Sequence, residues 1–180
     1  MHVMMRLNTL GARPDAVILQ VGAVLFEPRS GGRLLNGKGF NEYVLLQDGS
    51  GSIDHGSLCR WLTDKAGPRM GEALMTRALP LTDVLVSLGG WPRRAHDLEW
   101  RSVGGVWTTA ADHATIRSAF SRYGMDTPWG RGADRCHDTL FDLFGGIPTI
   151  DGTGFVEGDA LDEAVMLASA VQEARRVHDG

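Results

Sequence analysis

One stretch near the N-terminus decides how the rest of the chain is interpreted: Met4-Met5-Arg6-Leu7-Asn8-Thr9-Leu10-Gly11. Its apolar start and its polar, glycine-ended finish predict a short buried strand that runs into a turn. Arg6 and Asn8 are two residues apart, and in a strand this spacing places both side chains on one face of the sheet. A cation and an amide therefore project together from the strand end, and neither is a good ligand for a hard metal ion.

Length and composition indicate an ordinary globular protein. The 180 residues, 43% of them hydrophobic, predict a single domain spanning residues 1–180 with enough chain to bury a sizeable core. A net charge of −4 argues against non-specific binding to a polyanion. Cys59 and Cys136 do not make a disulfide framework. The sequence has no apolar run of spanning length and no signal-peptide layout, so we expect a soluble, cytoplasmic protein.

The hydrophobic pattern predicts three strands, followed by helices that alternate with short strands. The three strands are expected over 2–7, 16–26 and 40–46, and the second is apolar enough to be buried on both faces. The short turns between them predict an antiparallel meander. Further short strands are expected over 103–107 and 133–136. Helices are expected from a cap at Asp54 or Ser57, over 69–78, from Thr82 to Gly89-Gly90, and over 111–123, 137–144 and 159–177.

The N-terminal stretch resembles the opening of a phage 3′–5′ exonuclease of the DEDDh class, whose relatives include the exonuclease VIII-like and RNase T-like proteins. That family usually begins with a strand ending Asp-Leu-Glu-Thr-Leu-Gly, in which the Asp and the Glu hold two magnesium ions. This chain keeps Leu7, Thr9, Leu10 and Gly11. The resemblance implies an α/β fold of ribonuclease H-like, DnaQ-like exonuclease type. The fold would have a mixed sheet, an antiparallel three-strand meander and flanking helices.

Further motifs extend the resemblance over nearly the whole chain. Trp61-Leu62 looks like part of the Trp-rich helix of the family, and Asp134-Arg135-Cys136-His137-Asp138-Thr139-Leu140 is similar to its Asp-Arg-Cys-x-x-Thr-Leu stretch. The run from Val106 to Ala114 resembles a segment whose last residue is a metal-binding Asp. The run from Gly158 to Ala164 resembles His-x-Ala-Leu-x-Asp-Ala, in which the His is a general base and the Asp a metal ligand.

In this chain all five positions that the resemblance assigns to chemistry differ from the pattern; they hold Arg6, Asn8, Ala114, Gly158 and Glu163. Two-metal hydrolysis needs several converging carboxylates that place two ions about 4 Å apart. A fixed arginine instead repels an incoming Mg²⁺ by several kcal/mol at a separation of about 5 Å. We therefore expect no intact catalytic residue and no metal cofactor, and we expect Arg6 to pair with Glu163 or Asp162.

The alternative is an active exonuclease with a rewired site that uses Mg²⁺ or Mn²⁺. A general base would be His113 or His137, and the acids would come from Asp112, Asp134, Asp159, Asp162 and Glu163. Asp112 stands two residues before Ala114, which puts it about 200° away around a helix, so it does not simply replace an acid there. Structural roles compete with these assignments. Asp112 and Asp159 are expected at helix N-termini, His113 in packing, and His137 at the surface or as a cap.

The expected function is binding. We expect a catalytically inactive, phage-encoded exonuclease-like protein in the cytoplasm of a bacterial host cell. An inhibitor or decoy role against a host nuclease defence is a hypothesis. The partner would be a protein or a single-stranded nucleic acid, with no membrane partner. The candidate binding residues are Thr9, Leu10, Trp61, Asp112 and Asp162. The resemblance implies that Thr9 and Leu10 line a nucleotide pocket.

Overall fold

A computed structural model describes residues 1–29, 31–46, 51–63 and 67–179. Among these residues, five strands form a mixed sheet: β1 (His2–Thr9), β2 (Ile18–Phe26), β3 (Leu34–Tyr43), β4 (Val106–Thr108) and β5 (Asp134–Cys136). The order across the sheet is β3-β2-β1-β4-β5. The first three strands are antiparallel neighbours, whereas β4 runs parallel to β1 and β5 parallel to β4. The predicted meander and the ribonuclease H-like α/β fold are thus confirmed.

The described residues also form six α-helices: α1 (His55–Thr63), α2 (Gly67–Thr76), α3 (Leu81–His96), α4 (Ala110–Arg122), α5 (His137–Leu143) and α6 (Ala160–Asp179). One core joins the sheet to α3 and α4, and a second joins its other face to α5 and α6. None of the described helices is both long enough and apolar enough to cross a membrane.

The side chains of β1 alternate between these two cores. Val3, Met5 and Leu7 belong to the core beneath α3 and α4, whereas Met4 packs beneath α6. Because the side-chain period of a strand is two, Arg6 and Asn8 share the face of Met4. The polar pair therefore points toward the start of α6, on one face, as its spacing predicts.

The second strand is buried along its entire length, as predicted from its apolar run. Gly22 lies at its centre, and a Cβ at this position would overlap the backbone of Ala160 and Leu161. The N-terminus of α6 therefore lies directly on β2. Because Gly22 pairs with Arg6 of the neighbouring β1, this close contact brings the first turn of α6 near Arg6.

Several element boundaries differ from the prediction: β4 covers Val106–Thr108 instead of 103–107, and β3 and α3 differ at both ends. The third strand begins at Leu34, where Leu34 and Leu35 pair with the end of β2, and it ends at Tyr43 after an irregularity in the register. The third helix starts after Pro80, without a side-chain cap from Thr82. It continues through Gly89-Gly90 to His96 because Leu88 and Trp91 are buried in the core. The cap of α1 is as predicted, since Asp54 Oδ1 accepts a hydrogen bond from Ser57 N at 2.7 Å.

Candidate functional site

Arg6 lies between two carboxylates that come from two different helices. Its Nη1 donates to Asp112 Oδ2 at 2.8 Å, and its Nε donates to Glu163 Oε2 at 3.2 Å. Asp112 is in the first turn of α4 and Glu163 in the first turn of α6. The Arg6 side chain is only 23% exposed. The predicted pairing of Arg6 with Glu163 is therefore present, and one cation joins β1 to both helices.

Asp112 is buried at the centre of this arrangement. Besides Arg6, its Oδ2 accepts hydrogen bonds from Leu7 N at 3.4 Å and from Thr108 Oγ1 at 3.0 Å. Asp112 lies in the first turn of α4, as predicted, and its carboxylate also bonds to groups of β1 and β4. From the first turn of α4 its side chain reaches back to the end of β1, whereas Ala114 is exposed. Asp112 and Ala114 do lie on different sides of α4, as predicted, but the side that faces the sheet is the side of Asp112.

Asn8 belongs to a second polar network, which is built from amides. Its Nδ2 donates to Gln20 Oε1 and to Gly158 O, both at 2.7 Å. Gln20 is fully buried. Its Nε2 donates to Asn41 Oδ1 at 2.7 Å and to Asp159 Oδ2 at 2.9 Å, and its Oε1 also accepts from Ala160 N at 3.1 Å. Gln20 was not predicted as a site residue, although a polar side chain inside the apolar run of β2 was a visible signal.

The loop before α6 is fixed by its own acids. Asp159 caps the helix, as predicted, with Oδ1 accepting from Leu161 N at 2.9 Å and from Asp162 N at 3.2 Å. Its Oδ2 accepts from Tyr43 Oη at 3.2 Å. Burial, with a smaller effect from Asp159, raises the pKa of Tyr43. Asp162 accepts from Val156 N at 2.8 Å and does not pair with Arg6. Asp162 therefore holds the preceding loop in place.

The remaining candidate binding residues lie at the far end of β1. Leu10 is buried in a small third core with Met70 and Ala73 of α2, and Trp61 packs against this core. Thr9 donates through Oγ1 to Gly11 O at 2.9 Å. A cavity of about 360 Å³ opens between α2 and the loop before α6, but Thr9, Leu10 and Trp61 do not line it. Its walls include Tyr43, Arg77 and Asp159.

The two histidines differ in their surroundings. His113 is buried and its Nε2 lies 3.2 Å from Arg135 O, which agrees with the predicted packing role. His137 is also buried, so its prediction as a surface or capping group is wrong: the start of α5 turns its ring inward against Phe141. Burial lowers the pKa of His137, and Arg6 lowers it further, although Asp138 and Asp112 act in the opposite direction. His137, Arg6 and Glu163 line one cavity of about 410 Å³.

The residues at this centre do not fit a pair of divalent cations. A guanidinium lies between the two nearest carboxylates, and the amide of Asn8 donates to two acceptors instead of offering a negative charge. Ala114 of α4 is exposed, and Gly158 contributes only its carbonyl. Within the ranges that the structure describes, no group of three or more His, Cys, Asp or Glu residues could hold a metal ion.

Comparison with known proteins identifies the family. A family profile described as the Rv2179c-like 3′-5′ exoribonuclease domain matches residues 1–175. The chain belongs to this family. A search of curated proteins finds no match. The crystal structure of cell-death related nuclease 4 (CRN-4) is similar with a TM-score of 0.56 and 12% sequence identity. The match covers 99% of this chain and 64% of that chain, and at this identity it shows the fold alone.

Membership of the Rv2179c-like family makes this an exonuclease-like protein by sequence and by fold. The matched region contains every residue of the polar centre, from Arg6 on β1 to Glu163 on α6. An exoribonuclease-like fold thus carries an arginine between two acids at the meeting point of β1, α4 and α6.

Proposed function

We propose that this exonuclease-like protein is catalytically inactive and acts by binding a partner. The observation that supports the proposal is the guanidinium of Arg6, which bonds to both Asp112 and Glu163. An arginine in a protein stays protonated at any ordinary pH. A divalent cation entering here would meet a like charge and would have to displace two charge-assisted hydrogen bonds, each worth about 1.5–3 kcal/mol.

The amide network next to Arg6 supports the same proposal. Asn8, Gln20 and Asn41 share their hydrogen bonds with each other and with the start of α6. These hydrogen bonds give the polar atoms of the site partners within the protein itself. In the DEDDh pattern, by contrast, carboxylates at positions 6 and 8 would repel one another unless cations lay between them.

A nuclease assay tests this proposal directly. The purified chain is incubated with Mg²⁺ or Mn²⁺ and with end-labelled single-stranded DNA and RNA. We expect any trace of nucleotide release to be the same for the native protein, for Glu163→Ala and for the control Glu173→Ala. The control removes an acid of the same helix that pairs with Arg176 at the surface. Turnover that survives purification and disappears only in Glu163→Ala would show that the protein is an active exonuclease.

That outcome is the alternative function, a metal-dependent 3′–5′ exonuclease with a rewired site. Family membership favours it, as does the gathering of Asp112, Glu163 and His137 around one position. In this case Arg6 must leave its two acids before a cation can bind. Arg6→Ala would then raise nuclease activity in Mn²⁺, whereas an inactive binding protein gains none that depends on Glu163.

The proposed partner is a host or phage protein in preference to a single-stranded nucleic acid. A net charge of −4 disfavours binding to the phosphate backbone. Together with the resemblance to phage exonucleases, this extends the proposal to a phage-encoded inhibitor or decoy directed at a host nuclease defence. Capture of partners by the tagged chain, with and without nuclease treatment of the lysate, distinguishes the two classes. A protein partner stays bound after treatment, and a partner held through nucleic acid is lost.

A further inference from the structure

The cavity of about 360 Å³ between α2 and the loop before α6 has a mixed wall. Its volume is in the range of pockets that hold small ligands. The apolar part of the wall is formed by Met70, Ala73 and Val156. Its charged residues are Arg69, Glu72, Arg77 and Asp159. We call this space the α2 cavity.

The two arginines of this wall are exposed, and in the part of the chain that the structure describes neither Arg69 nor Arg77 makes an ion pair with a carboxylate. The Cζ atom of Arg77 lies 4.9 Å from the centroid of the Tyr43 ring, and this stacking holds the planar guanidinium in place. Tyr43 is itself fixed, because its hydroxyl donates to Asp159 Oδ2 at 3.2 Å. Two cations therefore border one concave surface without an anionic partner among the described residues.

The two acids of the wall do not supply the missing partner. Each carboxylate oxygen of Asp159 already accepts two hydrogen bonds from groups of the protein itself. Glu72 is exposed on α2, three residues after Arg69, and pairs with neither arginine. Both guanidinium groups can therefore donate to an anionic group that comes from another molecule.

The spacing of the charges along α2 indicates which kind of anion fits. Arg77 N donates to Ala73 O at 2.8 Å, so the helical turn continues as far as Arg77. Arg77 follows Arg69 by eight residues, which corresponds to about 12 Å along a helix axis. In an extended peptide, two residues four positions apart are separated by about 13 Å. Glu72 lies between the arginines in the sequence, so it repels a continuous row of phosphates more than two carboxylates separated by neutral residues.

We propose that the α2 cavity binds an acidic segment of a protein partner, in which two carboxylates about four residues apart flank an apolar residue. One carboxylate accepts from Arg69 and the other from Arg77, with the bidentate geometry that a guanidinium offers to a carboxylate. The apolar residue packs against the apolar part of the wall. The proposal rests on the proposed binding function and gives it a chemical preference.

The test compares three capped peptides, Glu-Ala-Leu-Ala-Glu, Gln-Ala-Leu-Ala-Gln and Lys-Ala-Leu-Ala-Lys. Protein labelled with ¹³C at its methionine methyls is titrated with each peptide and followed by NMR. Met70→Leu and Met166→Leu assign the two reporting signals. We expect the Glu peptide to shift the Met70 methyl in a saturable way and to leave that of Met166, which lines a different cavity, unchanged. The Gln and Lys peptides should shift neither signal.

Variants of the charged wall residues complete the test. Arg69→Gln and Arg77→Gln are each expected to weaken binding of the Glu peptide roughly tenfold, because each removes a charged donor. Glu72→Gln is expected to strengthen it, because the variant removes a negative charge between the two arginines. Arg131→Gln is the matched control, since it removes an exposed arginine that lines a different cavity. Binding of the Gln peptide with the affinity of the Glu peptide, equal affinity in the native protein and both cavity arginine variants, or no gain in Glu72→Gln would overturn the proposal.

A single-stranded RNA of five nucleotides tests the other class of partner. RNA that binds at the α2 cavity as tightly as the Glu peptide, or more tightly, would overturn the proposal. Nuclease activity is measured separately on the same samples. Activity without peptide binding would overturn both proposals, and activity together with peptide binding would overturn only the proposed function. The absence of both would overturn only the proposed preference for an acidic segment.

Discussion

The side chain of Arg6 carries a positive charge that is covalently part of the protein. Its two partners, Asp112 and Glu163, are both partly shielded from water. Replacing it with alanine leaves Asp112 buried beside Glu163 with no cation between them. We expect Arg6→Ala to lower the free energy of unfolding by about 2–4 kcal/mol, toward the lower end of the range for broken buried pairs because Arg6 is 23% exposed. We also expect Mn²⁺ to raise the Tm of this variant and to leave the native Tm unchanged.

The control for this experiment is Arg29→Ala, which removes an arginine that is 77% exposed from its pair with Glu27. Exposed ion pairs contribute about 1 kcal/mol or less, so its unfolding free energy should barely change. Urea denaturation gives the stabilities, and thermal scans over a Mn²⁺ titration give the metal response. The same rise in Tm for native protein and Arg6→Ala would contradict the view that the guanidinium excludes the ion.

A second prediction at this scale concerns pH. His2 lies at the start of β1, where burial, the N-terminal amino group and nearby arginines lower its pKa from 6.5 to about 4. Between these values the unfolded chain binds more protons than the folded protein, so stability falls as the pH drops from 6.5 toward 4. We expect His2→Gln to make this fall in Tm shallower, because glutamine does not titrate and can still accept from Trp107 Nε1.

His55→Gln, at an exposed position of α1, should leave the pH profile of the native protein unchanged. His137 has a lowered pKa as well and contributes in the same direction, so part of the slope stays in His2→Gln. A profile of His2→Gln that matches the native one at every pH would show that His2 does not titrate in this window.

Individual residues differ in how far the sequence predicts them. The shared face of Arg6 and Asn8 follows from the period of a strand, and the pair with Glu163 follows from opposite charges at two predicted element ends. The contact of Arg6 with Asp112 depends on how α4 packs against β1, and this packing cannot be predicted from the local sequence. Gln20 is hidden for a related reason, since its partners come from three segments that only tertiary structure brings together.

Among the elements, α6 has the closest contact with the sheet. A methyl group on Gly22 would overlap the backbone at Ala160, which cannot move aside as a flexible side chain could. We expect Gly22→Ala to lower the unfolding free energy by about 2–4 kcal/mol, which is at or above the upper end of the usual cost of adding atoms to a packed core. We also expect it to separate Glu163 from Arg6. The measurements are urea denaturation and the NMR signals of α6.

Gly71→Ala is the matched control within a helix. Gly71 lies in α2, and a Cβ there would meet nothing within 4 Å. Alanine in a helix interior is more favourable than glycine by about 0.5–1 kcal/mol, so this variant should be slightly more stable. Equal effects of the two substitutions would mean that α6 can move away from β2 without cost.

The elements that the sequence predicts well are those whose burial is continuous, such as β2. The end of α3 shows where local signals fail, because Gly89 and Gly90 indicate a stop and the helix passes through both. Each glycine costs about 1 kcal/mol relative to alanine in a helix. The burial of Leu88 and Trp91, and the hydrogen bond from Trp91 Nε1 to Lys38 O, offset that cost. Such contacts between distant segments are absent from a local reading of the chain.

For the whole molecule, the pattern of strands and helices alone predicts only a mixture of α and β. The ribonuclease H-like fold became predictable through the motifs, since the Thr9-Leu10-Gly11 end of the first strand and the Asp134-Arg135-Cys136 stretch resemble those of the exonuclease family. The centre on this scaffold was less predictable, because the contact of Arg6 with Asp112 and the hydrogen bonds of Gln20 depend on how distant segments of the chain meet.

The last prediction concerns nucleic-acid binding and follows from the overall charge of the protein. A net charge of −4, with Arg6 already paired to two acids, gives this exonuclease-like fold little attraction for a phosphate backbone. We expect labelled single-stranded RNA and DNA to show no saturable binding by fluorescence anisotropy at about 0.15 M salt, where non-specific nucleic-acid affinities are typically only about 10⁻⁴–10⁻⁶ M. Submicromolar binding would contradict a protein partner. The slope of affinity against salt would then count the phosphates held, and exposed arginines such as Arg69 and Arg77 beside the cavity at α2 would be the first to replace.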